Sequence, residues 1–224
     1  MNLDKPHLRL RKQIMNTFKG LIWKCGLSAL LLSATLSAQT VTYKGMYKGS
    51  SMKIDGTSTV HDWTVESKLI SGSLQLEGEF PADLSAESVP ALPSAPKVEV
   101  KIAARSLKSG KSTMDQVMLA AMKSDDHPWI IYKLNELTPS KGKRNSGDAL
   151  AYDAKGELSM SGVTQKIQMP VSISPTKKGL KIVGKIQVKM TDFGIQPPAP
   201  KIALGLIKTA DEVDLSFEWQ TQKK

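Results

Sequence analysis

The sequence is poor in the residues that most often carry chemistry. It holds a single cysteine, Cys25, three histidines, and only 5% aromatic residues. Cys25 lies in an N-terminal stretch read below as a leader, and the chain that follows has no cysteine. Disulfides, thiol chemistry and Cys-based metal sites are therefore excluded from that part. No serine stands in a nucleophile elbow, and no glycine-rich loop opens a helix. No His/Asp/Glu grouping has metal-ligand spacing. His61-Asp62 invites an acid–base reading, but adjacent strand residues point to opposite faces and cannot readily form a dyad. We assign no catalytic residue, metal site or cofactor from the sequence, and expect no enzyme. Fixed-period repeats and low-complexity tracts are also missing.

The first forty residues differ from the rest. Lys5, Arg9, Arg11, Lys12, Lys19 and Lys24 precede an apolar run from Cys25 to Leu36, which ends in Leu36-Ser37-Ala38-Gln39. A basic region, a short apolar core and a small residue before the cut are the parts of a secretory signal. Residues 1–38 are thus expected to be a signal peptide, and 39–224 the mature domain. Met15 is an alternative start, given the long basic region. The apolar run is too short and too broken by Ser and Gly to span a membrane comfortably. Ile22-Trp23-Lys24 does not supply the small residues a lipoprotein signal requires before Cys25. Removing 1–38 takes away six of the 31 Lys and Arg and one of the 21 Asp and Glu, so net charge falls from +10 to +5. The remaining lysines alternate with apolar residues instead of clustering, which describes a solvated outer face and not a nucleic-acid stripe.

Alternation of period two predicts strands. Leu180, Ile182, Gly184, Ile186, Val188 and Met190 share one face, while Lys181, Lys185, Gln187 and Lys189 share the other. Val213, Leu215, Phe217 and Trp219 alternate in the same way with polar residues. Further strands are read at 74–80, 98–102, 152–160 and 167–173. Residues 129–134 are apolar on both faces, and so are expected to be more buried. His61, Trp63 and Val65 share a side in the segment 61–67. Lys177-Lys178-Gly179 suits a hairpin with a left-handed glycine, and Asn145-Ser146-Gly147 marks a loop. Pro90, Pro93 and Pro96 form an extended connector; Pro197, Pro198 and Pro200 exclude a central strand. About eight antiparallel strands, each with one apolar face, are best buried by closing into a barrel. One segment has helical period instead: Met114, Val117, Met118, Ala121 and Met122 fall on one face of a helix over 112–123, with Ser112 as the expected N-cap. The fold class is therefore all-β with one short helix, an antiparallel eight-stranded β-barrel.

Candidate ligand contacts follow from parity. His61 and Trp63 are expected to face inward, His61 either bonded to a backbone carbonyl or touching the polar end of a ligand. His127, past the helix C-terminus, reads as structural. Gly78, Gly156 and Gly184 fall on the apolar parity of their strands, where glycine marks a bend or a close approach. With few aromatics and an adaptable Met114/Met118/Met122 stripe, they suggest an interior not filled by its own side chains.

The ordered segments resemble the YceI-like family, exported bacterial lipocalin-like barrels associated with polyisoprenoid lipids. The carriers are Ile54-Asp55-Gly56-Thr57-Ser58-Thr59-Val60-His61-Asp62-Trp63, the strand from Val98 to Leu107, and the helix followed by Asp126-His127-Pro128-Trp129-Ile130. Gly156 to Thr164 and Met190-Thr191-Asp192-Phe193-Gly194-Ile195 complete the set. The chain departs from many members at Thr59-Val60-His61-Asp62-Trp63 and by Asp126 and Trp129 around the His-Pro pair. The resemblance implies a periplasmic or secreted protein that holds an isoprenoid-type lipid, a polyprenyl lipid or quinone, in an apolar barrel channel without catalysis. Such a protein would have no nucleic-acid partner and would contact a membrane transiently; its oligomeric state stays open. The alternative is a structural or partner-binding barrel with a packed interior, whose exposed apolar patch would lie near 196–207.

Overall fold

The computed structural model describes residues 39–142, 145, 147–199 and 207–224. The expected leader with Cys25, Ser146, Pro200, and Ile202, Leu204 and Leu206 of the expected patch lie outside the described residues. The strands are β1 (Thr40–Ser58), β2 (Trp63–Ser67), β3 (Ile70–Glu77), β4 (Lys97–Ala103), β5 (Trp129–Pro139), β6 (Leu150–Met160), β7 (Val163–Pro175), β8 (Leu180–Lys189) and β9 (Thr209–Lys223). The helix α1 (Ser112–Ala121) interrupts them between β4 and β5.

All neighbouring strands are antiparallel, in the order β2-β1-β3-β4-β5-β6-β7-β8-β9, and β1 also pairs with β9. That last pairing closes the sheet, so that among the described residues no strand is left as a free edge of the barrel. β2 and β3 share one place in the wall. Thr40 to Lys44 of β1 pair with Glu77 to Ser73 of β3, and Met52 to Gly56 pair with Ser67 to Trp63 of β2. The barrel is thus eight-stranded, with its second strand broken at Lys68-Leu69. A chain of hydroxyls holds the break: Ser106 Oγ donates to the Ala103 carbonyl (2.6 Å), Ser67 and Ser106 share a bond (2.7 Å), and Leu69 N–H donates to Ser67 Oγ (3.1 Å). Ser67 is buried, so these bonds satisfy a polar group that would otherwise cost stability.

The sequence reading places eight strands but omits β1, the longest. Its inward residues change parity: Tyr43 is buried before the irregularity between Met46 and Ser51, Ser50 within it, and Met52, Ile54 and Gly56 after it. Gly49 takes a left-handed φ of 81° at this bulge. Ser50 Oγ donates to the Met46 carbonyl (2.5 Å) and accepts from Gln220 N–H (2.9 Å), tying the bulge to β9. β5 shows the same effect on a smaller scale. Its register shifts between Leu134 and Glu136, so the inward set moves from Ile130, Tyr132 and Leu134 to Leu137. The expectation of a more deeply buried strand at 129–134 is corrected here: Trp129 is 48% exposed and Lys133 is exposed. The expected left-handed Gly179 is corrected too. Its φ is not positive; a Cβ there would collide with the Thr221 carbonyl, so close approach of β9 requires the glycine.

One end of the barrel is plugged. Phe80, Tyr43 and Tyr152 are buried, with the Phe80 and Tyr152 rings edge to face at 6.1 Å. The proline-rich connector passes beside them and accepts a hydrogen bond from Tyr152 Oη at the Pro90 carbonyl (3.0 Å). Outside the wall, lysines pair across strands: Lys181 with Glu218 (2.8 Å), Lys185 with Asp214 (2.9 Å), Lys155 with Glu136 (3.0 Å). Such exposed pairs contribute little stability each. They identify the alternating lysines as the solvated face.

Candidate functional site

The other end of the barrel carries the helix. Between β4 and β5 the chain leaves the wall, and Ala104 N–H donating to the Pro128 carbonyl (2.9 Å) fastens the two ends of the excursion together. Glu66 and Lys108 exchange a pair of backbone bonds (2.9 Å each), which tie the excursion to β2. The N-terminus of α1 is held differently from the expected Ser112 cap. Ser112 is the first helical residue, and the capping position, Lys111, makes no side-chain cap. Asp115 takes over as an anchor: it accepts from Ser109 N–H (2.8 Å) and Ser109 Oγ (2.7 Å), with Lys108 Nζ 3.8 Å away. Burial pushes the Asp115 carboxyl up, but the Ser109 bonds and the Lys108 charge outweigh it and hold it below the usual carboxylate range.

Beneath α1 lies a cavity of about 400 Å³. Met114, Val117, Met118, Ala121 and Met122 of the helix form its roof, as the helical period predicts. Ile54, Trp63, Val65, Met160, Val188 and Val213 form its walls, and His61, Ser58, Lys111 and Thr209 lie around its rim. A second cavity of about 110 Å³ lies in the barrel body, bounded by apolar side chains from β1 and from β3 through β9. Leu215 borders both, so the two adjoin. Val100, Leu134, Ile167, Ile186 and Phe217 point into the inner cavity yet are only half-buried, because the interior does not close over them.

Five of the eight expected contacts line the larger cavity: His61, Trp63, Met114, Met118 and Met122. His61, however, is not an interior group. It is exposed, precedes β2, and its Nδ1 donates to the Asp62 carbonyl (2.8 Å). That bond to a backbone carbonyl is the simpler of the two roles the sequence allows. Trp63 is half-buried, its Nε1 donating to the Thr57 carbonyl (3.3 Å). Gly78, Gly156 and Gly184 line neither cavity. Gly78 sits past the end of β3 with φ 75°, a turn position with open space around it. At Gly156 a Cβ would lie 2.6 Å from Tyr132 Oη, and at Gly184 it would lie 2.7 Å from the tip of the Phe217 ring. These two glycines make room for aromatic neighbours, not directly for a guest. His127 is exposed and its ring lies over the β6–β7 turn, 2.6 Å from where a Gly162 Cβ would sit.

Sequence reasoning passed over Tyr132, whose inward direction is hidden by apolar residues on both faces of its strand. Leu215, Phe217 and Trp219 were legible as one face of β9 but carried no sign of a cavity. Among the described residues no three His, Cys, Asp or Glu side chains could hold a metal, and no helix is long and apolar enough to cross a membrane.

Comparison with known proteins agrees with this geometry. The sequence model of the YceI-like domain matches residues 35–221. A solved structure of BcnA from Burkholderia cenocepacia is similar, with a TM-score of 0.59 and 16% identity over 78% of this chain and 98% of that one. A polyisoprenoid binding domain from Saccharophagus degradans, described as implicated in plant cell wall breakdown, gives a TM-score of 0.56 at 12% identity, over 81% of this chain and 98% of that one. A YCEI protein from Campylobacter jejuni gives 0.50 at 17% identity, over 70% and 84%. A comparison with curated proteins gives no match. At these identities the solved structures show the shared fold. The family match spans nearly all of the barrel, and the chain belongs to the YceI-like family.

Proposed function

We propose that this protein holds an isoprenoid-type lipid in the channel between α1 and the barrel, as a carrier or buffer and without catalysis. The observation that carries the reading is the apolar cavity of about 400 Å³ under the methionine face of the helix. On the scale where a dry cavity of about 150 Å³ takes a benzene ring, it has room for roughly sixteen carbons, about three isoprene units. Burying that many methylene-equivalents is worth roughly 13 kcal/mol before the cost of association. A barrel with a packed interior would have no such space, which favours the container over the structural alternative. The similar Saccharophagus degradans domain is described as polyisoprenoid binding, which supports the same class of guest.

The reading includes export: residues 1–38 serve as a signal removed after Ala38, delivering a periplasmic or secreted domain that meets membranes transiently to load or unload. N-terminal sequencing of the exported protein then begins at Gln39; an intact leader on the mature protein contradicts this part. The binding itself is tested by titrating delipidated protein with farnesol and following the tryptophan fluorescence, to which Trp63 at the cavity wall contributes. Saturable quenching at one equivalent is expected, and no uptake of any prenyl chain overturns the proposal.

A further inference from the structure

Among the described residues five large apolar side chains are exposed, and three of them share one flank of the barrel. Tyr47 (59% exposed) stands in the bulge of β1, and Leu69 (51%) in the break between β2 and β3. The two lie across from each other, because residues 45–51 of β1 and Lys68-Leu69 fill the gap between the Lys44–Ser73 and Met52–Ser67 pairings. Val183 of β8 joins them through Glu218 of β9, which pairs with Ser51. Both apolar tips are braced from within. The buried Ser50 ties the Tyr47 bulge to β9 by accepting from Gln220 N–H (2.9 Å), and the buried Ser67 accepts from Leu69 N–H (3.1 Å). A bulge re-aims side chains, and here it turns an aromatic ring out to solvent. The other two exposed apolar residues, Val60 and Trp129, stand at the helix end.

Lys44, Lys48 and Lys68 surround this pair, all exposed and none in an ion pair among the described residues. Lys44 stands opposite Ser73 and Gln222, so no carboxylate faces it across either strand. The bordering acids are engaged: Glu218 holds Lys181 (2.8 Å), and Glu99 holds Lys101 (2.7 Å). Glu66 faces Lys53 and offsets that lysine. We propose that this flank docks the protein on an anionic lipid surface, with Tyr47 and Leu69 entering the headgroup layer and Lys44, Lys48 and Lys68 facing lipid phosphates. The inference rests on the carrier reading only for its purpose, and gives the membrane contact of that reading a place on the wall instead of the cavity mouth. A tyrosine suits such a layer, with an apolar ring and a wet hydroxyl. Lysines are drawn to an anionic membrane without needing fixed geometry. A second copy fits less well, since a two-fold contact would set Lys48 and Lys68 against like charges. A protein partner would need roughly 1,000 Å² of complementary surface, more than two apolar tips among lysines supply.

Vesicle binding tests the flank with no prenyl lipid present. Mature protein is mixed with vesicles of phosphatidylcholine alone, or of equal parts phosphatidylcholine and phosphatidylglycerol, and bound protein is sedimented. Binding is expected only with phosphatidylglycerol, and should weaken as salt is added. Lys48→Gln combined with Lys68→Gln should lower the partition about 25-fold, about 5-fold per lysine. Leu69→Ser should lower it about 5-fold, because only the exposed half of the side chain is free to enter the layer. These residues line neither cavity, so farnesol uptake should not change, which shows that the variants fold. Residues 39–224 contain no cysteine, so Tyr47→Cys or Val60→Cys carries a single environment-sensitive dye. The dye should brighten at 47 and not at 60 when vesicles are added. Brightening at 60 equal to or above that at 47 moves the contact to the mouth and overturns the flank. Equal binding to both vesicle types or no binding overturns it too, as does brightening at 47 from protein concentration alone, the sign of a second copy. Each of these results leaves the lipid-binding reading standing, and failed farnesol uptake by the unmutated protein leaves the docking result standing.

Discussion

Replacing Gly184 by alanine asks the barrel for room that one movable neighbour can give. The new Cβ would lie 2.7 Å from Cε1 and Cζ of Phe217 and 3.2 Å from Cγ1 of Val171. Carbon atoms sit comfortably at about 3.5–4.0 Å, so the Phe217 ring must retreat by about 1 Å. It is half-buried and borders the inner cavity, so it has somewhere to go. The cost falls at the low end of the overpacking range, about 1 kcal/mol, partly offset by the lower backbone entropy of alanine in a strand. Gly156→Ala meets the Lys133 carbonyl as well as Tyr132 Oη, and a backbone carbonyl in a paired strand cannot swing aside. Its cost falls at the upper end, about 3 kcal/mol. For a domain of this size the difference of about 2 kcal/mol separates the two melting temperatures by roughly 4–8 °C. Gly184→Ala carries a functional signature too. The displaced ring occupies space equivalent to one or two methylenes of guest, so lipid affinity falls about 4- to 15-fold. Thermal denaturation of both variants, with a farnesol titration of Gly184→Ala, makes the comparison. Equal stability losses, or a Gly184→Ala protein with unchanged uptake, would refute the assignment of these glycines as seats for aromatic rings.

Other perturbations probe other parts of the same structure. Tyr132→Phe removes an unpartnered buried hydroxyl and should stabilise the lipid-free protein by about 1 kcal/mol in urea unfolding; a loss of that size would show that the hydroxyl has a partner. Asp115→Asn weakens the anchor of α1 and should cost about 1–2 kcal/mol at pH 7. Because the folded Asp115 carboxyl lies below its ordinary range, its contribution is fully present above the ordinary Asp value of about 3.9 and is lost as pH falls through the folded value. Melting curves should therefore separate wild type from Asp115→Asn at pH 7 and converge towards pH 2; a constant gap would contradict the ionic role. Met118→Asp places a charge in the cavity roof at a half-buried site, so it should reduce farnesol uptake more than 10-fold while shifting the melting temperature by less than about 4 °C.

The legible parts of the fold are those where one rule holds along a whole element. From Leu180 to Met190 the inward parity holds throughout, with Val183 the one apolar residue on the outer face, and β8 covers nearly that span. The 3.6-residue spacing of Met114, Met118 and Met122 locates both the helix and the cavity roof. Legibility fails where a bulge resets parity, since an inserted residue turns every later side chain to the other face. That is why β1 escapes the alternation rule; Tyr132 escapes it for a different reason, because apolar residues on both faces of β5 hide which face is inward. Glycine parity was read correctly at 156 and 184 but its meaning was not. A missing side chain leaves space, and only the neighbouring strand decides whether a ring or a guest fills it. His61 shares apparent parity with Trp63, yet β2 begins only at Trp63, so the alternation does not extend to it. Its position at the rim follows from the turn of residues 58–61, where Ser58 N–H and Oγ both donate to the His61 carbonyl.

The most direct test of the central claim is native mass spectrometry of the protein exported by its own host and purified without detergent. Expected is an adduct that is removed by organic solvent and fragments as a prenyl lipid. Protein recovered repeatedly without an adduct, and taking up no prenyl quinone or prenyl alcohol when offered them, would contradict it.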